Sequence, residues 1–322
     1  MWNINAGAEP GVNTSKRMKE RPIGPKIFSL NRYLKDRVGE TWMIIAFVMV
    51  LLLPFIVGAG LYLKSRILLQ EHSIWTLLVS GNWNPQKGEF GLAPFIVSSL
   101  WVTALAVLIA VPVSLLSAIH LTQYARKWFL NAMHPVIDIL AGLPSVIYGV
   151  WGILVVVPFV KRLAEWFDIS VSGYSILAGA IVLAIMIIPF ILNILIEVFR
   201  TIPEELTEAS LSLGATHWQT IKRVLLRKAV TGIISAVVLG VSRAFGETIA
   251  VLMVVGNVVH IPKGAFQPGY PLPALIANNY GEMLSIPRYE AALMLSALVL
   301  FSVVLLFNFA SRIAIVQFEK RV

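Results

Sequence analysis

The sequence predicts an all-α, polytopic membrane protein with six transmembrane helices. Hydrophobic residues make up 57% of the 322-residue chain and charged residues only 13%, whereas about a quarter of a soluble domain is charged. Six segments each hold about 20 mostly apolar residues, the length that spans a bilayer as a helix. The chain contains no cysteine, which excludes disulfides, thiol catalysis and cysteine-bound metals.

The predicted spans follow from these apolar segments, and four of them contain a proline. They run at about 42–63, 95–119, 134–157, 173–196, 231–257 and 289–313. The prolines inside the first four spans are Pro54, Pro112, Pro144 and Pro189. Because neighbouring helices and water can satisfy the carbonyl that a proline frees in a bundle, we expect kinks at these positions rather than helix ends.

The lysines and arginines indicate how the spans are oriented. The net charge is +9, and 18 of the 26 basic residues lie before residue 42, in the loops after spans two and four, or at the C-terminus. Seven lie in the opposite loops. Basic residues accumulate in cytoplasmic loops, so both termini are predicted to be cytoplasmic. We expect residues 1–41 to form a basic tail without a removable signal peptide, and residues 42–322 to form the transmembrane domain.

Two loops on the opposite side are rich in Gly, Pro, Trp and Asn, which favour turns over long helices. They are residues 80–94 and 260–275. We expect short ordered caps that could meet an extracytoplasmic partner. Plain connecting loops are the alternative.

The cytoplasmic loop at 200–230 reads RTIPEELTEASLSLGATHWQTIKRVLLRKAV. Residues 203–205 resemble a helix start, with a proline and two acids in the first turn. One face of that helix would carry Leu206, Ala209, Ser210 and Leu213. Gly214 offers a helix stop, since glycine adopts the left-handed conformation at low cost. The pattern predicts a short amphipathic helix, a turn and a second basic helix; a helix lying on lipid headgroups fits equally well.

This loop resembles the EAA loop of bacterial ABC-importer permeases, whose pattern is E-A-A-x3-G-x9-I-x-L-P. Glu208, Ala209 and Gly214 match it, Ser210 replaces the second alanine, and Arg227 replaces the final proline. The last replacement leaves the helix after Gly214 free to continue into the fifth span. The resemblance implies that residues 208–210 and Gly214 belong to a coupling helix that sits in a groove of an ATPase subunit.

Three further stretches resemble PstC-type permease subunits of bacterial high-affinity phosphate importers. They are GNWNPQKGEFGLAPFIVSSLWVT (81–103), LAGLPSVIYGVWG (140–152) and SRAFGETIAVLMVVGN (242–257). The resemblance covers roughly residues 42–318 and implies the type I ABC-importer permease fold in the bacterial plasma membrane. It implies half of a transmembrane path for inorganic phosphate that works by alternating access. The implied partners are a homologous PstA-type permease, two PstB-type ATPases and an extracytoplasmic PstS-type phosphate-binding protein.

Arg243 and Glu247 place two charges inside the predicted fifth span. Each charge costs very roughly 2.5–3.5 kcal/mol at the centre of a span, so pairing, water or function must compensate. A structural ion pair between them at i,i+4 is one interpretation. The other is a substrate path, which the resemblance implies and to which Ser242 and Thr248 add polar groups. The forked guanidinium suits an oxyanion, and Glu247 could hold it in place or accept the proton of monohydrogen phosphate.

Asp138 is the other acid inside an apolar stretch, HPVIDILAGLPS. We expect a first-turn carboxylate that the dipole of the third span stabilises near its cytoplasmic end. The five histidines are scattered without metal-ligand spacing, so no metal site is predicted.

The chain lacks the G-x4-G-K-[ST] pattern of a P-loop, so it is predicted not to be an enzyme that hydrolyses ATP by that motif. No cofactor is expected in this chain, and ATP and Mg²⁺ would bind to partner ATPase subunits. Two alternatives stay open from the residues. One is an ABC permease for another oxyanion, sulfate or molybdate, and the other is a secondary anion transporter driven by an ion gradient.

Overall fold

The computed structural model describes residues 27–283 and 285–319. By length and composition, six helical stretches of this part could cross a membrane: Lys35–Glu71, Ala93–Tyr124, Ser145–Glu165, Ile176–Arg200, His217–Phe245 and Pro287–Phe309. The all-α prediction with six spans is confirmed. Residues 1–26 of the predicted tail lie outside the described residues, while residues 27–41 are helical and continue into the first span.

The elements follow one another from α1 to α13, with one short hairpin. The first part contains α1 (Ile27–Glu71), α2 (Ile74–Val79), β1 (Trp83–Asn84), β2 (Glu89–Phe90), α3 (Ala93–Ile119) and α4 (Lys127–Gly142). The central part contains α5 (Ser145–Trp151), α6 (Val157–Glu165), α7 (Ile176–Arg200), α8 (Glu204–Ser212) and α9 (His217–Thr220). The last part contains α10 (Leu226–Phe245), α11 (Ile249–Val254), α12 (Leu272–Met283) and α13 (Pro287–Glu319). Single π-helical turns at 120–124, 152–156 and 221–225 join neighbouring helices.

By internal contacts the chain divides within α1, after Ile56. The part of α1 before the division carries exposed apolar side chains from Trp42 onwards, as expected of a span surrounded by lipid or by another subunit. Residues from Val57 onwards form the second unit, and all the packing described below belongs to it.

Helix α7 lies at the centre of the second unit and packs against α3. Alanines at the contact, Ala106 and Ala110 in α3 and Ala184 in α7, are fully buried, and small residues let membrane helices approach closely. Helix α10 packs on α7 in the same way. A Cβ at Gly240 would lie 2.5 Å from Cδ1 of Ile191, so a larger residue there would separate the two helices.

The loop after α11 provides hydrogen-bond acceptors for backbone N–H groups in the first turn of α7. Ser175 caps the helix by accepting from the backbone N–H of Ala178 at 3.2 Å. The N–H groups of Ile176 and Leu177 donate to carbonyls at 267 and 265. The loop after α11 therefore supplies acceptors for the N–H groups that a helix start leaves unpaired.

The two predicted caps are ordered, and one contains an unpredicted helix. Residues 83–84 and 89–90 pair as a short antiparallel hairpin. The segment around residue 270 leads into α12 and is held against α3. The hydroxyl of Ser98 accepts from the N–H of Tyr270 at 3.0 Å, and that of Ser99 accepts from the N–H of Leu272 at 2.9 Å. The turn-forming composition of 260–275 gave no sign of α12, which begins at its end. Contact with an extracytoplasmic partner stays a prediction.

The predicted third span is wrong in its bounds. Helix α4 ends at Gly142 and α5 begins at Ser145, so the span runs over Ser145–Glu165 rather than 134–157. Leu143 is extended, with φ −62° and ψ 137°, because the ring of Pro144 disfavours the α conformation of the preceding residue. Pro144 therefore separates two helices and does not kink one.

The predicted fifth span is also wrong in its bounds. The second helix of the loop at 200–230 continues through the π-helical turn into α10, as the replacement of the EAA proline by Arg227 suggested. By length and composition, the helix that could cross the membrane here is His217–Phe245. It ends before residue 257, because the helix breaks at Gly246.

Candidate functional site

The break between α10 and α11 lies within the stretch that the sequence marked as charged. Gly246 ends α10, and Thr248 precedes α11 with φ −112° and ψ −63°. The Thr248 hydroxyl donates to the carbonyl of Gly246 at 3.3 Å, and such local side-chain bonds compete with helix continuation. Arg243 thus lies in the last turn of one helix, and Glu247 lies in the break.

Arg243 and Glu247 do not form the ion pair that their spacing allowed. Among the described residues, the ion pairs within 4.0 Å are Lys64–Glu290, Arg200–Glu197 and Arg288–Glu71. The break turns Glu247 away from the i,i+4 position of a continuous helix. The interpretation of a structural pair between the two charges is therefore wrong.

Arg243 instead reaches two other helices. Its Nη2 donates to the carbonyl of Ala141 at 3.3 Å, at the end of α4. Its guanidinium carbon lies 4.7 Å from the ring centroid of Phe190 in α7, a cation–π contact. The side chain is nevertheless exposed. One N–H of the guanidinium is bonded to the Ala141 carbonyl, and its other N–H donors are left for a ligand.

The end of α4 is a favourable place for a cation. The last carbonyls of a helix carry partial negative charge and lack intrahelical donors. Tyr148 donates its hydroxyl to the carbonyl of Leu140 at 2.7 Å, and Arg243 bonds the next carbonyl, that of Ala141. The end of α4, which lies just before Pro144, thus positions Arg243.

The other residues predicted for the path are also in the break region. Glu247 accepts the backbone N–H of Ala250 at 3.1 Å, so it caps the first turn of α11. The Ser242 hydroxyl donates to Oδ1 of Asn308 in α13 at 3.2 Å. The structure gathers Ser242, Arg243, Glu247 and Thr248 around one helix break, and their part in transport stays a prediction.

The position predicted for Asp138 is wrong. Asp138 is the twelfth residue of α4, far from its first turn, so the dipole of a helix start does not explain its charge. Its Oδ1 accepts from Nδ2 of Asn193 in α7 at 2.8 Å. Sequence reasoning missed Asn193, although an amide inside an otherwise apolar span is a recognisable signal.

The loop at 200–230 has the predicted helix–turn–helix structure. Helix α8 ends at Ser212, and Gly214 follows in the left-handed conformation with φ +81°. The second helix begins with a capping box, in which Thr216 and Gln219 bond each other's backbone N–H groups. The turn is therefore specified by its own residues.

The residues of α8 point outwards. Glu208 and Ala209 are exposed, and α8 has no buried residue. The Ser210 hydroxyl lies 2.9 Å from that of Thr220 in the second helix. Leu213 is 89% exposed. Exposed apolar side chains on a projecting helix are typical of a protein-interaction site.

Known proteins share both the sequence and the fold. Residues 110–322 match the family described as binding-protein-dependent transport system inner membrane component. The chain is 44% identical over 64% of its length to the probable ABC transporter permease protein YqgH of Bacillus subtilis, and the match covers 66% of that protein. It is 36% identical over 77% of its length to the phosphate transport system permease protein PstC of Pasteurella multocida, with 81% of that protein covered.

A solved structure shares the fold at low identity. A chain in a crystal structure of the inward-facing MetNI methionine ABC transporter aligns with a TM-score of 0.56 at 20% identity. The alignment covers 74% of this chain and 99% of that one. At this identity the likeness concerns the fold alone.

Proposed function

The chain belongs to the family of binding-protein-dependent transport system inner membrane components, and from that premise we propose that it is the permease subunit of an ATP-driven phosphate importer. It forms half of the transmembrane path and opens that path alternately to the two sides of the membrane. The proposal draws its substrate from the phosphate transport permeases that resemble the chain over three quarters of its length.

Arg243 is the observation that carries this proposal. Its guanidinium is exposed, is bonded to a backbone carbonyl rather than to a carboxylate, and lies at a break in a membrane helix. A cation in such a place is costly unless it has a ligand or water. An oxyanion fits it, because a guanidinium gives two parallel hydrogen bonds to such an ion.

Energy for transport comes from separate subunits. A permease of this family works with an ATPase and a substrate-binding protein. We assign to this chain a PstA-type permease partner, two PstB-type ATPases that bind ATP and Mg²⁺, and an extracytoplasmic PstS-type binding protein. Helix α8 and Gly214 support the assignment of an ATPase contact, since they form a projecting helix with an exposed leucine.

The protein is a multi-pass inner membrane protein. In the proposed orientation both termini and the loop with α8 face the cytoplasm, as the basic residues indicate. The hairpin of β1 and β2 and helix α12 then face the binding protein.

Phosphate uptake into vesicles that hold the assembled importer tests the proposal. Arg243→Gln removes the charge and the fork, and we expect uptake to fall about tenfold to hundredfold, the worth of one or two charged hydrogen bonds. Arg243→Lys keeps the charge but loses the fork, so its uptake should be intermediate. Subunit assembly, measured by co-purification, should stay unchanged. Wild-type uptake in both variants would refute the substrate path at Arg243, and absence of uptake in the wild-type assembly would refute the function.

A further inference from the structure

An open groove with polar and apolar lining residues lies between α4 and α7. It has a volume of about 700 Å³, and its polar lining consists of Asn131, His134, Asp138, Glu197 and Arg200. Glu197 and Arg200 neutralise each other at 3.2 Å. Asp138 is in none of the ion pairs of the described residues. The groove therefore presents one uncompensated carboxylate.

Asp138 and its partner Asn193 each lie three residues from a residue that Arg243 contacts, Asp138 along α4 and Asn193 along α7. In α4, it precedes by three residues Ala141, whose carbonyl accepts from Arg243. In α7, its partner Asn193 follows by three residues Phe190, whose ring contacts Arg243. Three residues rise about 4.5 Å along a helix and return to the same face. Asp138 and Asn193 therefore each lie one helical turn from a residue that Arg243 contacts.

The surroundings of Asp138 leave hydrogen-bonding positions open. Asn193 uses its Nδ2 to hold Oδ1 of Asp138 at 2.8 Å, while a carboxylate can accept about four hydrogen bonds. Oδ1 of Asn193 and Nε2 of His134 are buried without a partner. Buried polar atoms normally have partners, so the surroundings of Asp138 favour a ligand that both donates and accepts hydrogen bonds.

Phosphate and its competitors differ in that property. Monohydrogen and dihydrogen phosphate carry P–OH groups, whereas sulfate and molybdate are unprotonated dianions near neutral pH. A carboxylate accepts a hydrogen bond from P–OH but only repels an ion that has no proton to donate. A site built to bond a hydroxyl of its substrate rejects an analogue that lacks the hydroxyl.

We infer that Asp138, positioned by Asn193, is the selectivity residue of the permease. It accepts the P–OH hydrogen bond of a phosphate ion held at Arg243 and repels oxyanions without a proton. The inference rests on the proposed function and adds a selection step inside the membrane, separate from any selection by a binding protein. Glu247, which caps α11, is not needed for this step.

The experiment measures ion binding to the importer without the binding protein, so that the selectivity of that protein does not enter. The assembled permease and ATPase subunits are placed in nanodiscs with millimolar inorganic phosphate, and the broadening of the ³¹P resonance is recorded. The part that Arg243→Gln abolishes reports phosphate in the path, since phosphate at the ATPases contributes equally to both samples. Sulfate is then added in excess as a competitor.

In the wild type, we expect sulfate to leave the Arg243-dependent broadening nearly unchanged. Asp138→Asn keeps the shape of the side chain but removes its charge, so sulfate should compete at least about tenfold better. Asn193→Leu should relax the discrimination partly, because Asp138 keeps its charge and loses its position. The double variant Glu197→Gln/Arg200→Gln removes the neutral ion pair of the same groove without changing its net charge, so it serves as the control and should resemble the wild type.

Three results would overturn the inference. They are sulfate exclusion by Asp138→Asn equal to that of the wild type, sulfate competition in the Glu197→Gln/Arg200→Gln double variant as strong as in Asp138→Asn, and the absence of Arg243-dependent broadening in the wild type. The first two leave the proposed function untouched, whereas the third also counts against a phosphate path at Arg243. The uptake of phosphate by the wild-type importer tests the function by itself.

Discussion

The break after α10 and the loop after α8 are both polar interruptions between helices, yet they are held in different ways. At the break, Arg243 contacts a carbonyl of α4 and a ring of α7, and Ser242 contacts α13. At the loop, the positive φ of Gly214 and the capping box at Thr216 are properties of neighbouring residues. Tertiary contacts therefore position the first region, and local turn chemistry forms the second.

The difference indicates what each region can do. The break is embedded among three helices, so a movement of α4 or α7 changes the surroundings of Arg243 directly. The loop is joined to the second helix by the contact of Ser210 with Thr220 and otherwise projects outwards. A preformed projecting helix suits docking, because little ordering entropy is lost when a partner binds. Changes at the break should therefore affect phosphate uptake, and changes in the loop should affect coupling to ATP hydrolysis or binding of the ATPase subunit.

Gly214→Val should have the largest effect in the loop. Valine is strained at φ +81°, at a cost of about 1–3 kcal/mol, so the native turn should become about tenfold to hundredfold less populated. Uptake per ATP hydrolysed, measured in reconstituted vesicles, should fall. Gly281→Val is the matched control, since a Cβ at either glycine meets no atom within 4 Å and only Gly214 has a positive φ. Unchanged coupling in Gly214→Val would show that the turn does not set the docked geometry.

Leu213→Ser should have a smaller effect on the same contact. Burying a leucine is worth about 1.5–3 kcal/mol, so binding of the ATPase subunit should weaken about tenfold or more. The subunit ratio after dilution of the purified complex measures this binding. Trp166→Ser is the control, because Trp166 is 84% exposed and lies after α6, away from the loop in sequence. Equal loss of the ATPase in both variants would contradict a specific contact at Leu213.

Glu247→Gln should have the smallest effect, although it removes a charge from the break. The glutamine oxygen can still accept the N–H of Ala250, as Glu247 does at 3.1 Å, so we expect uptake within about twofold of the wild type. Glu247→Ala loses this cap and should cost about 1 kcal/mol of stability. Collapse of uptake in Glu247→Gln together with a shifted pH profile would mean that the carboxylate itself takes the phosphate proton. That outcome would assign the contact with the phosphate proton to Glu247 in the break rather than to Asp138 in the groove.

The sequence by itself determined the class of the protein and the structure of the loop. Hydrophobic runs of about 20 residues require helices across a bilayer, because backbone groups in lipid must be satisfied within the segment. The turn at Gly214 and the helix start at Pro203 and Glu204 depend on residues next to them. Such local causes are visible in a single chain, which is why the six spans and the helix–turn–helix were predicted.

Only the tertiary structure decided the partners of the charges. Arg243 bonds Ala141 across 102 residues of sequence, and Asn193 bonds Asp138 across 55. No local preference encodes these contacts, since they depend on where α4 ends and on how closely it packs against α7. Spacing suggested an ion pair of Arg243 with Glu247, but the break at Gly246 separated the two. A charge inside a membrane bundle takes the partner that packing brings within reach, and sequence distance has little part in that choice.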